Sequence, residues 1–297
     1  MLLRHIRYLI AIEDQGSFTR ASEALHVSQP TLSQQIKQLE ESLGVQLFDR
    51  TSRSVKPTDA GRVYIQYARR ALQELEAGKR AIHDVRDLSR GTLRLAHTPT
   101  FTSYLIGPVI ERFNTAYPGI FVSVQEMALD TIESSLAMDE TDLGIAFNTV
   151  RSSELTCQNL FDEKLDLVTG ADHFLASREK AIIPTDLKTI PLVLLTKSFA
   201  TRTYVEEYFK KHNISPKISI EVNSISGVVE MIKRGNIATI LPTAIVNANP
   251  DLRAIPLSPP LPERTVALLS RRGAYQTAAS IAFSDLLVRF ISENNLL

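Results

Sequence analysis

The predicted secondary structure changes character at Arg90 and Gly91, and this change constrains the fold more than any other feature. Before it, helical patterns are broken by one short β-prone segment; after it, short apolar strands alternate with helices. Alternating strands and helices predict an α/β fold with sheets rich in parallel strands and with helices on both faces. The chain has 297 residues, 44% of them hydrophobic, which is enough for two domains or three small ones.

Two series of strands and helices follow the change, and they predict two α/β lobes. The first series has strands at 91–96, 120–125 and 142–147, and helices at 103–117 and 130–138. The second has strands at 165–169, 191–195, 217–222, 237–241 and 264–269, and helices at 202–212, 226–234 and 276–293. Because clefts between lobes are usual sites for small molecules, we expect a ligand there.

The segment before residue 45 predicts a helix-turn-helix. Ser17 and Ser28 are N-cap candidates for helices over 18–25 and 29–43, and Gly44 ends the second helix. One face of that helix is rich in amides and hydroxyls and nearly uncharged; it carries Gln29, Thr31, Ser33, Gln34, Lys37 and Gln38. Such a face is either an ordinary solvated surface or one that pairs with base edges in the major groove of DNA.

Residues 45–57 predict a small hairpin, or wing. Two β-prone patches flank a basic tip that carries Arg50, Arg53 and Lys56. These cations are placed to contact phosphates or a minor groove. The alternative is an ordinary charged hairpin, and the position directly after a helix-turn-helix favours the DNA-contacting interpretation.

Residues 58–89 predict one long helix that needs a partner. Thr58 is its N-cap candidate, and Asp59 lies at the positive end of the helix dipole. Apolar and small residues recur at alternating spacings of four and three, in a heptad seam: Tyr64, Ala68, Ala71, Leu75, Gly78, Ile82 and Val85. The seam predicts a dimer through this helix; the alternative is packing against the C-terminal body of the same chain.

A cluster of hydroxyl groups predicts an anion site in the cleft. Thr98, Thr100, Thr102 and Ser103 follow the first strand of the α/β part, where the N-terminus of a helix offers free N–H groups. One hydroxyl is needed as a helix cap, which leaves the others unexplained. Similar turns at 196–202 and 223–226, and the strand end at 147–149, are expected to face the same cleft, because ligands bind beyond the carboxyl ends of parallel strands.

The charge is divided unevenly along the chain. The totals are equal, with 33 Lys and Arg against 33 Asp and Glu. Residues 1–90 carry 14 basic and 11 acidic side chains, and the remainder carries 19 and 22, so the two parts are +3 and −3. A mildly basic module is therefore joined to a mildly acidic one, which excludes a charge-dominated nucleic-acid coat.

Several other classes are excluded by what the sequence lacks. The single cysteine, Cys157, allows no internal disulfide and is expected to be a small apolar filler, while six scattered histidines give no metal site. We expect no cofactor and, in the absence of a catalytic or phosphate-binding motif, no enzyme activity. Glu13 and Asp14 come too early for a signal peptide and no apolar run is long enough for a membrane span, so a cytoplasmic protein is expected.

The N-terminal residues resemble those of LysR-type transcriptional regulators. The resemblance is carried by GSFTRAS at 16–22, LHVSQPTLSQQI at 25–36, LEESLGVQLFDR at 39–50 and PTDAG at 57–61. It implies a winged helix-turn-helix domain at 1–57 and a dimerising linker helix at 58–89. It also implies an effector domain that resembles periplasmic binding proteins, with one lobe at 90–161 and 265–297 and an inserted lobe at 162–264. The chain would cross between lobes near 159–163 and 259–265.

The same resemblance implies the partners. They are double-stranded DNA, a small-molecule effector and further copies of the chain in a tetramer of two dimers, with RNA polymerase as a candidate. A transport-type solute-binding protein would fit the effector domain alone, but the helix-turn-helix argues against it. The residues expected to bind DNA are Thr19, Ser28, Gln29, Pro30, Thr31, Ser33, Gln34, Lys37, Arg50 and Arg53.

Stretches at 98–104, 199–202, 223–226 and 259–265 extend the resemblance to regulators of this family that respond to cyanate. A small anion such as cyanate is therefore the expected effector, and its binding would change the oligomer geometry and the bending of DNA. The residues expected to bind it are Thr98, Thr100, Phe101, Thr102, Ser103, Phe147, Thr196, Phe199, Thr201, Arg202, Asn223 and Ser226.

Overall fold

The computed structural model describes residues 3–49, 55–83, 88–178 and 180–294; for residues 80–83 it describes the backbone only. The chain divides into two compact units, Met1–Val85 and Arg86–Leu297. Each unit is described by itself. Within the described ranges no helix is long and apolar enough to cross a membrane.

In its described residues, the first unit consists of four helices and a two-stranded hairpin. Its elements are α1 (Leu3–Gln15), α2 (Phe18–Ala24), α3 (Gln29–Leu43), β1 (Phe48–Asp49), β2 (Lys56–Pro57) and α4 (Asp59–His83). The predicted caps are present: the Ser17 hydroxyl accepts from the Arg20 N–H, and the Ser28 hydroxyl accepts from the Thr31 N–H at 3.3 Å. Gly44 ends α3 in the left-handed region, with φ of 69°, where glycine meets no steric penalty.

The core of the first unit is formed by the apolar faces of all four helices. Fully buried side chains come from α1, α3, the hairpin and α4: Leu9, Ile12, Leu32, Ile36, Leu39, Leu47, Phe48 and Ile65. Glu40 is also buried, and its Oε1 accepts hydrogen bonds from the N–H groups of Leu47 (2.8 Å) and Phe48 (3.2 Å). These bonds satisfy the carboxylate and fasten the hairpin to α3.

The position of the predicted dimer seam on α4 is partly corrected. Arg69 pairs with Glu13 at 2.8 Å and with Asp14, so α4 packs along α1 of its own unit. Tyr64 and Ala68 contribute to that intrachain core, whereas Ala71, Leu75 and Gly78 are exposed. The side chains of Ile82 and Val85 lie outside the described residues, and the helix ends before Leu88 and Ser89, which form a turn.

An exposed apolar stripe runs along α4 beside the predicted seam. Val63 is 58% exposed, Tyr67 63% and Leu75 51%. Together with Ala71 they recur every four residues along the helix. Because spacings of three and four describe more than one face of a helix, the heptad pattern mixed an intrachain face with this exposed one.

The first sheet of the second unit has five strands in the order β4–β3–β5–β12–β6. Its strands are β3 (Gly91–His97), β4 (Ile120–Glu126), β5 (Leu143–Phe147), β6 (Leu155–Glu163) and β12 (Arg264–Arg271). β4, β3 and β5 are parallel, but β12 is antiparallel to both β5 and β6. The sheet is therefore mixed rather than parallel-rich. Strand β6 was not predicted, because its four consecutive exposed residues, 156–159, hide the strand pattern.

The second sheet is also mixed. β7 (Leu165–Gly170) lies between β10 (Thr239–Pro242) and β11 (Leu252–Ile255), antiparallel to both, and β8 (Leu192–Leu195) is parallel to β9 (Ile218–Val222). A parallel bridge from Leu192 to Ala238 connects the two groups of strands. β11 was not among the predicted strands.

Helices cover the sheets and begin close to the predicted positions, except for a short helix at 243–247 that was not predicted. They are α5 (Ile106–Ala116), α6 (Leu129–Ala137), α7 (Ala200–Lys211), α8 (Ile225–Arg234), α9 (Thr243–Asn247) and α10 (Ala278–Glu293). The helix expected from residue 103 starts instead at Ile106, because Pro99–Ser103 first form a 3₁₀ turn. A second 3₁₀ turn occupies Asp186–Lys188.

The chain passes between the two sheets twice. It leaves the first sheet at Glu163, enters the second at Leu165, and returns after Ile255 to begin β12 at Arg264. We call the first sheet with α5, α6 and α10 lobe I, and the second sheet with α7, α8 and α9 lobe II. One buried apolar cluster contains side chains of both lobes, including Phe101 and Phe147 of lobe I and Val168 and Leu195 of lobe II.

Candidate DNA-binding surface and effector cavity

The predicted DNA-reading face lies on the exposed side of α3. Gln29, Thr31, Gln34 and Lys37 are exposed and Ser33 is half-buried, opposite the buried stripe of the same helix. Thr19 is exposed on α2, and Pro30 is exposed in the first turn of α3. The face therefore presents amides and hydroxyls to solvent, as readout of base edges requires.

Two of the predicted DNA-contact hydroxyls also build the helix cap. Ser28 Oγ lies 2.7 Å from Thr31 Oγ1 as well as accepting from the Thr31 N–H. Lys37 Nζ is 3.7 Å from Glu41 Oε1, but both side chains are more than 60% exposed, so this pair contributes little stability. Lys37 therefore stays available for a phosphate or a base.

The wing is present as a short hairpin. Phe48 pairs with Pro57 and Asp49 with Lys56 in an antiparallel arrangement, and Lys56 is exposed. Arg50 and Arg53, at the predicted basic tip, lie outside the described residues.

A cavity of about 260 Å³ lies between the two lobes of the second unit. It is lined by four segments, each of which follows the end of a strand. They are Thr98, Pro99 and Thr100 after β3; Glu126, Met127, Ala128 and Leu129 at and after the end of β4; Phe147 at the end of β5; and Ser198, Phe199 and Ala200 after β8. A site at the ends of strands of two sheets matches the rule for α/β folds.

The cavity continues into a wider space of about 700 Å³. The two share Ala128, Leu129 and residues 198–200. The wider space adds charged side chains of both signs, namely Asp130, Glu133, Arg151 and Lys197. Because side chains of both charges line the wider space, we take the smaller cavity of about 260 Å³ as the more specific ligand site.

One threonine that lines the cavity, and one next to a lining residue, have buried hydroxyls without a partner among the described residues. Thr98 is 5% exposed, and its Oγ1 has no hydrogen-bond partner among the described residues. Thr201, next to the lining residue Ala200, has a buried Oγ1 in the same condition. A buried hydroxyl without a partner is costly, so these atoms are suited to a ligand or a water molecule.

One carboxylate lines the cavity, and one histidine is buried next to a lining residue. Glu126 lines the cavity, and its Oε1 accepts a hydrogen bond from Thr102 Oγ1 at 2.6 Å. His97 is buried next to Thr98, with Nδ1 3.0 Å from the carbonyl oxygen of Thr98. Burial lowers the pKa of His97, opposed by this backbone contact and by Glu126, so the imidazole is neutral near pH 7.

Some predicted effector residues lie elsewhere. Phe101 is fully buried, with its ring centroid 5.3 Å from that of Phe147, and it supports the wall rather than lining the cavity. Arg202 donates to the carbonyl of Leu195 at 2.7 Å and pairs with Glu206 at 2.7 Å and Glu221 at 2.8 Å. Its side chain is 3% exposed, so Arg202 is an ion-pair centre within lobe II and offers no donor to the cavity.

The other predicted residues are not among those that line the cavity. Thr102 and Ser103 belong to the 3₁₀ turn, and Thr196 Oγ1 lies 3.0 Å from Ser198 Oγ. Asn223 and Ser226 are exposed at the start of α8. Sequence reasoning missed the segment from Glu126 to Leu129, although it follows a predicted strand end and the same strand-end rule applied to it.

Cys157 is exposed on β6, which corrects its expected role as an apolar filler. Partial burial raises the pKa of its thiol. Groups of three or more His, Cys, Asp or Glu side chains able to hold a metal ion do not occur in the described parts of the chain.

Comparison with known families accounts for both units. Residues 3–62 match the model of the bacterial regulatory helix-turn-helix protein, lysR family, and residues 86–291 match the LysR substrate binding domain. The chain belongs to the LysR family of transcription regulators. It is thus a ligand-responsive, DNA-binding regulator and not an enzyme; regulators of this family bind DNA and small-molecule effectors and are oligomeric.

Relatives match over nearly the whole chain. The hydrogen peroxide-inducible genes activator of Dickeya chrysanthemi is 30% identical over 277 residues, covering 92% of this chain and 90% of that protein. The nitrogen assimilation regulatory protein nac of Klebsiella aerogenes is 30% identical over 303 residues, covering 100% and 97%.

Solved structures show the same fold. A full-length OxyR variant from Pseudomonas aeruginosa superposes with a TM-score of 0.71 at 25% identity, covering 97% of this chain and 94% of that one. Full-length CbnR in complex with its target DNA gives a TM-score of 0.64 at 23% identity, with 97% and 99% covered.

Proposed function

We propose that this regulator senses a small anion such as cyanate in the cavity between its lobes and responds by changing its oligomer geometry and the bending of DNA. The observation that carries this proposal is the hydroxyl of Thr98, which is buried in the cavity wall without a partner among the described residues. A ligand that accepts a hydrogen bond there removes the cost of the unpaired donor. Thr100, 3% exposed, lines the cavity beside it.

The size and chemistry of the cavity favour a small, singly charged ligand. At about 260 Å³ it lies just below the range of about 300–1,000 Å³ that is typical of cavities for drug-sized ligands. Phe147, Met127 and Phe199 make much of the wall apolar, which suits a weakly hydrated linear ion. The Glu126 carboxylate in the same wall opposes negative charge on a ligand, and it opposes a doubly charged anion more strongly than a singly charged one.

The DNA-contacting set is proposed from α2, α3 and the wing. Gln29, Ser33 and Gln34 are proposed to read base edges. Arg50 and Arg53, which lie outside the described residues, are proposed to contact phosphates. The proposed self-association is a dimer through α4, on which Ala71, Leu75 and Gly78 stay exposed, and a tetramer of two such dimers. Contact with RNA polymerase is part of the same proposal.

The proposed domain boundaries are those implied by the family resemblance. The DNA-binding domain spans 1–57 and the linker helix 58–89; lobe I spans 90–161 and 265–297, and lobe II spans 162–264. The strand memberships support this division, since β6 ends at Glu163 and β12 begins at Arg264.

A different effector in the same cavity is the alternative. Peroxide is one such candidate, because a relative is named as a hydrogen peroxide-inducible activator. The sequence holds one cysteine, so a disulfide within the chain has no second thiol. This observation favours reversible ligand binding over oxidation of a cysteine pair.

The proposal is tested by titrating the full-length protein with sodium cyanate and comparing Thr98→Val and Thr100→Val with the wild type. We expect cyanate to raise the thermal midpoint of the wild type, and Thr98→Val to weaken binding about tenfold, since a hydrogen bond to a charged ligand contributes about 1.5 kcal/mol or more. Affinity for operator DNA without cyanate should not change.

Thr239→Val is the matched control. Its hydroxyl is also buried without a partner among the described residues, but it lies on β10, away from the cavity. Equal weakening by Thr239→Val would place the effect in general stability. A wild-type midpoint that does not move with cyanate would exclude this ion, and an unchanged dissociation constant for Thr98→Val would exclude this site.

A further inference from the structure

Three buried polar side chains meet where the chain passes between the lobes. Glu163, the last residue of β6, and Arg264, the first residue of β12, are paired in the antiparallel ladder. Glu163 Oε2 lies 2.5 Å from both Nε and Nη2 of Arg264, and Tyr104 donates its hydroxyl to Glu163 Oε1 at 2.5 Å. The two charged side chains are at most 1% exposed, and Tyr104 is 8% exposed.

Two members of this cluster, Tyr104 and Arg264, are connected to the walls of the cavity. Tyr104 ends the 3₁₀ turn Pro99–Ser103, which follows Thr98 and contains Thr100. The Arg264 guanidinium lies 4.1 Å from the centre of the Phe147 ring, which lines the cavity from lobe I. It also lies 5.6 Å from the ring of Tyr204 on α7 of lobe II, the helix whose first residue, Ala200, lines the other side.

Stability alone does not account for such a cluster. Burying an ion pair costs desolvation energy that its mutual attraction often only balances, and apolar residues of similar volume commonly do as well. Here the cost is not fully met, because Nη1 of Arg264 has no hydrogen-bond partner among the described residues. The cluster instead fixes the positions of its three side chains relative to one another, because Tyr104 donates to Glu163 from a distant part of the sequence.

We propose that Tyr104, Glu163 and Arg264 form a hinge lock. The hydrogen bond from Tyr104 ties the segment that carries Thr98 and Thr100 to the two strands through which the lobes are joined. A ligand that displaces this segment shifts Tyr104, and the shift reaches Glu163 and Arg264 and so the angle between the lobes. The identity of the ligand rests on the proposed function, whereas the lock exists without a ligand.

Tyr104→Phe is the decisive variant, because it removes one hydroxyl and leaves the buried charge pair intact. Glu163→Gln is less suitable, since it leaves the Arg264 charge buried without a counter-ion. Tyr208→Phe is the matched control: Tyr208 is 2% exposed, and its hydroxyl donates to the carbonyl of Pro259 at 2.7 Å, outside the cluster.

The lobe angle is measured without effector by electron paramagnetic resonance distances in the full-length protein. Spin labels are attached through Glu111→Cys on α5 and Lys210→Cys on α7, both exposed, on a Cys157→Ser background, and the labelled chain is diluted with unlabelled protein. We expect Tyr104→Phe to shift the mean distance or about double the width of the distribution, and Tyr208→Phe to leave it unchanged. Unchanged distributions for both variants, or equal changes in both, would overturn the lock.

A second measurement separates the lock from the ligand. With sodium cyanate, Tyr104→Phe should bind within about threefold of the wild type yet lose most of the ligand-dependent change in the DNA footprint. Loss of binding and response together would assign Tyr104 to the site itself and overturn the positioning role. If the wild type binds no cyanate, the proposed effector fails, and the label distances still decide on the lock.

Discussion

The polar face of α3 spans residues 29–37 of one helix, whereas the effector cavity draws on four segments between residues 98 and 200. On α3 the functional side chains point to solvent from a frame held by Ser28 and Gly44. In the cavity, Thr98, Thr100 and Phe147 are buried whereas Glu126 and Ser198 are exposed, and each segment is held by a different strand. The first surface is built by local interactions and the second by tertiary ones, so substitutions should affect the two by different routes.

This difference also appears in what the buried polar groups do. In the first unit, Oε1 of Glu40 accepts from the backbone N–H groups of Leu47 and Phe48, and the side chain serves the fold. In the second unit, Thr98 Oγ1 has no partner among the described residues and Arg264 has an unpartnered Nη1. Of these two groups, Thr98 belongs to a residue that lines the cavity and Arg264 lies where the chain passes between the lobes.

The substitution with the largest expected effect lowers the stability of the first unit and leaves ligand binding by the second unit unchanged. A Cβ at Gly61, in the first turn of α4, would collide with the backbone carbonyl of Leu47, which cannot move without shifting the hairpin. Gly61→Ala should therefore destabilise the first unit by about 3 kcal/mol, at the upper end for overpacking, and weaken DNA binding. Urea denaturation followed by circular dichroism measures the loss, and cyanate titration should show an unchanged dissociation constant.

Gly78→Ala, in the same helix, is the matched control. Nothing lies within 4 Å of a Cβ at Gly78, so alanine should stabilise the helix by about 1 kcal/mol. A loss of stability for Gly78→Ala would indicate that another copy of α4 packs closely there. A loss of cyanate binding in Gly61→Ala would show that the two units do not respond separately.

The next effect concerns base readout on α3. Gln29→Ala and Ser33→Ala should reduce discrimination between operator and unrelated DNA by ~1–3 kcal/mol for each lost base contact. Arg53→Ala should instead weaken binding to both kinds of DNA. It should also reduce the slope of the logarithm of the binding constant against the logarithm of the salt concentration by about one. Binding titrations at several salt concentrations distinguish the two patterns; equal losses on operator and unrelated DNA for Gln29→Ala would remove it from the base-reading set.

The smallest effect is a pH dependence that belongs to the second unit. Burial lowers the pKa of His97 in the folded state, so the unfolded chain binds a proton more readily. The contribution of neutral His97 to the free energy of unfolding is fully present above the pKa of the histidine in the unfolded chain, near 6.5. It is lost as the pH falls through the lower pKa of the folded state. The slope contributed by this one group is at most about 1.4 kcal/mol per pH unit.

Urea denaturation at a series of pH values below 7, for the wild type and for His97→Gln, measures this slope. We expect the variant to show the smaller loss of stability on acidification, since its side chain does not titrate. Identical slopes for the two proteins would mean that His97 is not the group responsible.

Local signals in the sequence were sufficient for the caps and the recognition helix. Ser17 and Ser28 cap the N-termini of α2 and α3, and Gly44 ends α3, as predicted. These positions could be predicted because capping depends on a few neighbouring residues. The strand ends at His97 and Phe147 were also close to their predicted positions, which placed Thr98, Thr100 and Phe147 at one site. These features depend on contacts short in sequence or on a general rule for the ends of strands.

The sequence by itself determined the family, the two-part organisation and the helix that presents the polar face, since each depends on local patterns. Only the tertiary structure decided that β12 runs antiparallel, that Arg202 is taken up by Glu206 and Glu221, and that the segment from Glu126 forms a wall. It also brought Tyr104, Glu163 and Arg264 together across 160 positions of sequence. No local pattern encodes such contacts, because they arise when distant strands and helices pack into one core.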